Sequence, residues 1–162
     1  TAVLASVAFV LWMLLQGSFG DRWTPILDHA NLVFHEAGHV IIGIVSNRMA
    51  VYGGTLAQLF FPLAAAFAFW SRRHTAGFAL CLGWASQSLL NVATYMADAR
   101  TMALPLIGGL DPQTHHDWRE ILSRWGMLEL DTAWAALARV VAWVVGLGSC
   151  AWLFRHRARG TV

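Results

Sequence analysis

The stretch His35-Glu36-Ala37-Gly38-His39 holds the residue types and the spacing that metal-dependent hydrolysis requires. Residues four apart lie on one face of a helix, so His35 and His39 can present two imidazole nitrogens to a single ion. Glu36 lies beside the pair, where a carboxylate can accept a proton from the attacking water. Imidazole and carboxylate ligands in a tetrahedral arrangement favour zinc. The motif therefore predicts a zinc site with Glu36 as the general base.

The setting of the motif strengthens this prediction, because the surrounding segment from Ala30 to Val45 is largely apolar. An ionisable side chain in the middle of a membrane span costs roughly 2.5–3.5 kcal/mol on insertion scales. Three such side chains together need a partner that offsets the cost of desolvation, and a metal ion is such a partner. The alternative is a polar patch at a contact between two helices, with no ion.

The composition indicates an integral membrane protein. The chain has 162 residues, of which 57% are hydrophobic and 12% charged, whereas soluble domains have about 25% charged residues. The net charge is +2, and the arginines cluster at the ends of apolar runs, which is typical of membrane topology. No nucleic-acid-binding motif is present, so we expect no nucleic-acid partner. Cys81 and Cys150 lie in apolar runs and are expected to act as small core residues.

The apolar runs predict an all-α fold, a single helical membrane domain over residues 1–162. We expect five transmembrane helices and one amphipathic helix in the membrane interface, followed by a basic tail. Thr24-Pro25 is a favourable helix start, whereas Val51 to Gly54 is expected to form a link. A capping box at Thr114 is expected to start the interfacial helix. The predicted spans are 2–16, 25–45, 55–70, 75–97 and 133–154, and the interfacial helix is 115–125.

The distribution of arginines predicts the orientation of these spans. Under the positive-inside rule, the turn at Arg72-Arg73 and the tail from Arg155 to Arg159 are cytoplasmic. Two spans separate them, which is consistent with one side, and counting back also places Asp21-Arg22 on the cytoplasmic side. We therefore expect an N-terminus outside, a cytoplasmic C-terminus and a location in a bacterial inner membrane.

A third metal ligand is needed, because a catalytic zinc has three protein ligands and one open position. No Asp or Glu occurs between Glu36 and Asp98, and between the end of the motif at His39 and Asp98 the only histidine is His74, in a basic turn. The later candidates for the third ligand are Asp98, His115, His116 and Asp117. Asp98 can instead form an ion pair with Arg100, and His116 can be an exposed residue in the first turn of a helix.

An H-E-x-x-H motif in an apolar helix, a Gly-Gly pair and a later Asn…Asp pair together resemble the site-2 protease family of intramembrane zinc metalloproteases. The matching pair is Asn91 and Asp98. The resemblance implies that Asp98 is the third zinc ligand and that Asn91 stabilises the oxyanion. The family's proline is Thr94 here, and its Leu-Asp-Gly is Ala97-Asp98-Ala99, with the Asn–Asp spacing one residue shorter.

The chain is also similar to small bacterial membrane proteins that carry H-E-x-G-H, then G-G-x-x-x-Q and later H-D-W. The corresponding residues are His35 to His39, Gly53-Gly54 with Gln58, and His116-Asp117-Trp118. This second resemblance does not by itself imply an activity.

These observations predict a zinc-dependent intramembrane peptidase that acts on membrane-embedded protein substrates. His35, His39 and Asp98 are the expected ligands, with His116 as the alternative third ligand, and Glu36 and Asn91 are the expected catalytic residues. The alternative function is a non-catalytic accessory or structural subunit of a bacterial membrane complex that retains a metal-binding motif. Haem ligation by both histidines is disfavoured, because two residues of one helix cannot occupy opposite faces of a macrocycle.

Overall fold

The computed structural model describes residues 2–19, 23–105, 111 and 115–158, with the side chains of 157 and 158 excepted. Every regular element in these residues is helical, which confirms the predicted all-α fold. A short 3₁₀ turn, Leu128–Leu130, precedes the last helix. The helices are α1 (Ala2–Ser18), α2 (Pro25–Val45), α3 (Ala50–Ser71), α4 (Thr75–Ala97), α5 (Asp117–Arg124) and α6 (Asp131–Ala158).

Three segments of the described chain are long and apolar enough to cross a membrane: α3, α4 and Leu128–His156, which contains most of α6. Helix α1 is apolar but shorter, at 17 residues. Helix α2 has 21 residues but carries several polar side chains and is not among the three. A helical membrane protein is therefore supported, whereas the count of five spans is not confirmed.

Two predicted boundaries are corrected. The segment Val51 to Gly54 is not a link, because α3 begins at Ala50 and includes both glycines. These glycines stay helical because they are the positions where α2 and α3 come into closest contact. The helix expected at 115–125 begins at Asp117, with His116 as its N-cap. Other predicted features lie outside the described residues: Asp21-Arg22, the Thr114 cap and the side chains of Arg157 and Arg159.

Helix α4 lies at the centre of the bundle and packs against α1, α3 and α6. Gly83 packs against Val10 and Met13, and Gly17 packs against Leu90, so α1 and α4 run in the same direction. Helix α6 runs in the opposite direction, since Phe78 near the start of α4 makes an edge-to-face contact with Trp152 near the end of α6, with ring centroids 5.0 Å apart.

The first half of α2 is bound to the second half of α4. The carboxylate of Asp28 accepts hydrogen bonds from the amides of Gln87 and Asn91, each at 2.6 Å, and also from the backbone N–H of Thr24. The amide of Asn31 donates to Gln87 at 2.8 Å. These side chains satisfy one another inside the bundle, where an unpaired polar group is costly. Helix α2 therefore begins beside the second half of α4.

Helix α5 closes the end of the bundle at which α2 ends and α3 begins. Its apolar side chains Ile121 and Leu122 are 1% and 0% exposed, and Leu122 packs with Val92 and Met96 of α4. At its far end, Arg124 donates to the carbonyl of Arg48 in the turn between α2 and α3, at 2.6 Å. This docking brings the first residue of α5, Asp117, to the histidines of α2.

Candidate metal centre

His35, His39 and Asp117 meet at one point. The Oδ2 atom of Asp117 lies 2.9 Å from Nε2 of His35 and 3.0 Å from Nε2 of His39. The three possible ligand atoms all lie within 4.8 Å of one another. Ligands about 2.0–2.2 Å from a tetrahedral zinc lie about 3.3 Å apart. The separations therefore come close to those of a three-ligand zinc site.

The outer nitrogen of each imidazole faces a carbonyl oxygen. Nδ1 of His39 donates to the backbone carbonyl of Ala50 at 2.8 Å. Nδ1 of His35 lies 3.0 Å from Oε1 of Gln58. The amide nitrogen of Gln58 points to the carbonyl of Ser88 at 3.4 Å, and this contact fixes the orientation of the Gln58 amide. Both Nδ1 atoms are therefore hydrogen-bond donors, as they are in most histidines that bind metals.

This arrangement needs positive charge at its centre. A neutral imidazole carries a proton on only one nitrogen, so donation by Nδ1 leaves a lone pair on each Nε2. Both lone pairs point toward the same carboxylate oxygen, Oδ2 of Asp117. Protons on the rings or a cation between the three atoms remove the repulsion. The donor set, two imidazoles and a carboxylate, is one that zinc prefers.

The glycines of the α2–α3 contact provide the room for this centre. A Cβ at Gly54 would lie 2.5 Å from Nε2 of His35 and 2.6 Å from Nε2 of His39, so any side chain there would fill the space beside the ligand nitrogens. A Cβ at Gly38 would lie 2.1 Å from the carbonyl oxygen of Gly53. The two helices can approach this closely only because both positions are glycine, and the observed residues therefore fit a bound zinc.

Glu36 lies beside the ligands on the outer face of α2. It is exposed, and within the described residues its carboxylate has no hydrogen-bond partner. The residues one turn before and one turn after it, Val33 and Val40, are also exposed, at 64% and 66%. Glu36 is therefore a free carboxylate on an apolar outer face, next to the histidine pair.

Asp98 lies at the end of α4, where local donors engage its carboxylate. The hydroxyl of Thr101 donates to Oδ1 at 2.6 Å, and the backbone N–H groups of Ala103 and Leu104 donate at 2.9 and 3.0 Å. Burial opposes its ionisation, but these hydrogen bonds outweigh burial and hold the pKa of Asp98 below its usual value. The described contacts place Asp98 beside His116 and not within the group formed by His35, His39 and Asp117.

His116 is the N-cap of α5 and is fully buried. Its Nδ1 accepts the backbone N–H of Arg119 at 3.3 Å, so its proton is on Nε2, which faces Oδ2 of Asp98 at 3.4 Å. Burial lowers the pKa of His116 in spite of Asp98. His115 is exposed, with Nδ1 3.3 Å from the carbonyl of Asp111. Of the candidates for the third ligand, only Asp117 faces the histidine pair.

The charge state of Asp117 matches a role as ligand. Burial alone would raise the pKa of Asp117, but hydrogen bonds and charge from His35 and His39 outweigh burial, and the pKa lies below its usual value. The residue is therefore a carboxylate at neutral pH, as metal binding requires.

Asn91, the expected oxyanion-stabilising residue, has a different partner in the structure. Its amide nitrogen donates to Oδ1 of Asp28 at 2.6 Å. One of its two amide hydrogens is thus used in the hydrogen bonds that join α2 to α4.

Comparison of the chain with protein-family models, curated proteins and solved structures found no match. The resemblance to the site-2 protease family therefore still rests on the residues of the sequence alone. The sequence singled out Gln58 only as part of a spaced motif, gave no role in the centre to Gly54 and Tyr95, and ranked Asp117 below Asp98. The spaced motifs G-G-x-x-x-Q and H-D-W contain three of these four residues, and they are the sequence signal that could have identified them.

Proposed function

We propose that this protein is a zinc-dependent membrane peptidase in which His35, His39 and Asp117 hold the metal. The observation that carries the proposal is that two Nε2 atoms converge on one carboxylate oxygen while both Nδ1 atoms donate to carbonyl groups. Three protein ligands leave a fourth tetrahedral position for water or substrate. Asp117 takes the place that the resemblance gives to Asp98.

A zinc ion in this centre supplies a Lewis acid, which polarises a carbonyl group and makes water a stronger acid near neutral pH. Glu36 accepts the proton of the attacking water as the water oxygen bonds to the carbonyl carbon. Glu36 then returns this proton to the leaving nitrogen as the C–N bond breaks. Gln58 and the carbonyl of Ala50 accept hydrogen bonds from Nδ1 of His35 and His39, which leaves Nε2 of each ring to face the metal position.

The expected substrates are apolar polypeptide segments within the bilayer. Glu36 is on the exposed face of α2 between Val33 and Val40, so an apolar segment can reach the general base from the lipid side. The substrate backbone must be locally extended there, because a helix hides its peptide groups. We place the protein in a bacterial inner membrane with its C-terminus in the cytoplasm, because the basic turn at Arg72-Arg73 and Arg155 then lie on the cytoplasmic side.

The zinc content of the detergent-purified protein, prepared without chelators, tests the centre. Mass spectrometry is expected to find roughly one zinc per chain in the wild type and in Glu36→Gln, and far less in His39→Ala and Asp117→Asn. Asp98→Asn is the matched control and keeps its zinc. Zinc loss in Asp98→Asn with retention in Asp117→Asn would return the third ligand to Asp98.

The alternative function, an accessory subunit of a membrane complex, predicts a different outcome. A wild-type protein without stoichiometric metal overturns the peptidase and leaves this alternative. For a protein that does bind zinc, comparing the membrane proteins of cells that express the wild type or Glu36→Gln tests catalysis. We expect new protein N-termini from within apolar segments only with the wild type.

A further inference from the structure

Tyr95 is a phenol at the edge of the metal centre. Its ring centroid lies 6.1 Å from that of His35 and 4.2 Å from that of His116. Its hydroxyl oxygen accepts the backbone N–H of Asp117 at 3.1 Å. The residue whose carboxylate faces both imidazoles therefore also holds the phenol oxygen in place.

The phenol hydrogen is available to a ligand. A tyrosine hydroxyl both accepts and donates a hydrogen bond. In the part of the chain that the structure describes, this hydroxyl accepts from Asp117 and has no acceptor for its own hydrogen. Accepting a hydrogen bond polarises the O–H group, which makes it a stronger donor.

Peptide hydrolysis requires such a donor near the metal, because the carbonyl oxygen becomes negative in the transition state. One hydrogen of the Asn91 amide is used on Asp28, at 2.6 Å, which orients this amide in the contact between α2 and α4. The other amide near the centre, Gln58, directs its nitrogen to the carbonyl of Ser88 and its oxygen to His35. Tyr95 is a neutral donor next to the ligands, and its hydroxyl oxygen is held by the backbone N–H of Asp117, the residue that faces both imidazoles.

We propose that Tyr95 is a catalytic residue whose phenol O–H donates a hydrogen bond to the oxygen of the scissile carbonyl. This inference rests on the proposed peptidase function. As the water oxygen bonds to the carbonyl carbon and Glu36 takes the water's proton, the π electrons move onto the carbonyl oxygen that faces Tyr95. Tyr95 keeps its proton throughout. When the C–N bond breaks and Glu36 protonates the nitrogen, the electrons return and the carbonyl re-forms.

A transition-state mimic tests this role without a known substrate. The probe is a phosphinic analogue of a dileucine peptide, whose tetrahedral P–O⁻ group has the shape and charge of the developing oxyanion. Zinc content and the dissociation constant of the probe are measured for wild type, Tyr95→Phe and Tyr52→Phe. Tyr52 is the chain's other tyrosine, and its ring stacks on Trp125, so Tyr52→Phe is the matched control.

We expect all three proteins to keep their zinc and Tyr95→Phe to bind the probe about 10- to 100-fold more weakly, the range for a lost hydrogen bond to a charged group. Equal affinities would overturn the role of Tyr95 and leave the peptidase in place. Loss of zinc from Tyr95→Phe would show that Tyr95 acts by holding Asp117, which also overturns the proposal. A zinc-loaded wild type that does not bind the probe contradicts the peptidase itself.

Discussion

At the level of single residues, the centre depends as much on the groups behind the histidines as on the ligands. Gln58 orients His35 through its amide oxygen, as the backbone carbonyl of Ala50 orients His39. Such partners fix the tautomer and direct the Nε2 lone pair at the ion. Loss of either hydrogen-bond acceptor would leave all three ligands in place but weaken metal binding.

Replacing Gln58 tests this dependence. Gln58→Met keeps the approximate volume but removes the acceptor for Nδ1 of His35, so zinc affinity is expected to fall about 10- to 100-fold. Gln58→Glu keeps an acceptor and is expected to retain zinc. Competition with a chelator of known affinity measures both constants, and equal affinity of Gln58→Met and the wild type would contradict the proposed orientation.

The space at Gly54 gives a second prediction at this level. In Gly54→Ala the added methyl group would lie 2.5–2.6 Å from both Nε2 atoms. The methyl group fills the space beside the ligand nitrogens, so zinc content is expected to drop although all ligands remain. Gly148→Ala, where a Cβ meets nothing within 4 Å, is the control. Full zinc content in Gly54→Ala would show that the ion binds on another side of the histidines.

At the level of helices, the contact between α2 and α3 sets the position of both histidines. Gly38→Ala places a Cβ 2.1 Å from the carbonyl of Gly53, whereas Gly43→Ala, in the same helix, places one 3.6 Å from Ala50. Backbone cannot yield as a side chain can, so we expect Gly38→Ala to destabilise the fold by about 1–3 kcal/mol. Gly43→Ala should be near neutral. Thermal unfolding in detergent measures the difference, and equal midpoints would contradict this contact.

The hydrogen bonds between α2 and α4 give Asn91 a structural role that can be separated from catalysis. Asn91→Ala removes one donor from the buried carboxylate of Asp28, which is expected to cost about 1–3 kcal/mol of stability and to leave zinc content unchanged. Asn47→Ala, in the exposed turn after α2, is the control. An Asn91→Ala protein with normal stability but weaker binding of the phosphinic probe would support the oxyanion role that the resemblance implies.

Local sequence determined helix bounds well wherever a single residue type starts or stops a helix. Pro25 at the start of α2 and the polar turn at Arg72-Arg73 place α2 and α4 at the predicted 25–45 and 75–97. The position of the proposed third ligand depends instead on how α5 docks. Asp117 is 82 residues from His35, so local patterns could list it as a candidate but could not rank it above Asp98.

At the level of the whole molecule, the helix directions bear on topology. In five spans of alternating direction, the first and the fourth are antiparallel, but here α1 and α4 run in the same direction. The parallel direction of α1 and α4 is explained if α2 is not a span. The first half of α2 is held beside the second half of α4 by Asp28 and Asn31. Since α2 begins and ends in the same half of the bundle, we expect that it does not cross the membrane.

This arrangement predicts that the start of α1 and the end of α6 lie on one face of the membrane, together with the turn at Arg72-Arg73. The turn at Asn47 and the metal centre belong to the opposite end of the bundle, because α5 contacts that turn through Arg124 and Arg48. Single cysteines introduced at these four positions, in a protein whose Cys81 and Cys150 are replaced by serine, measure the topology when labelled from outside in spheroplasts and again after lysis. The two terminal cysteines and the Arg72-Arg73 cysteine should share one accessibility and the Asn47 cysteine the other. Terminal cysteines on opposite faces would support five crossings, and α2 would then have to traverse the bilayer with its motif in mid-membrane.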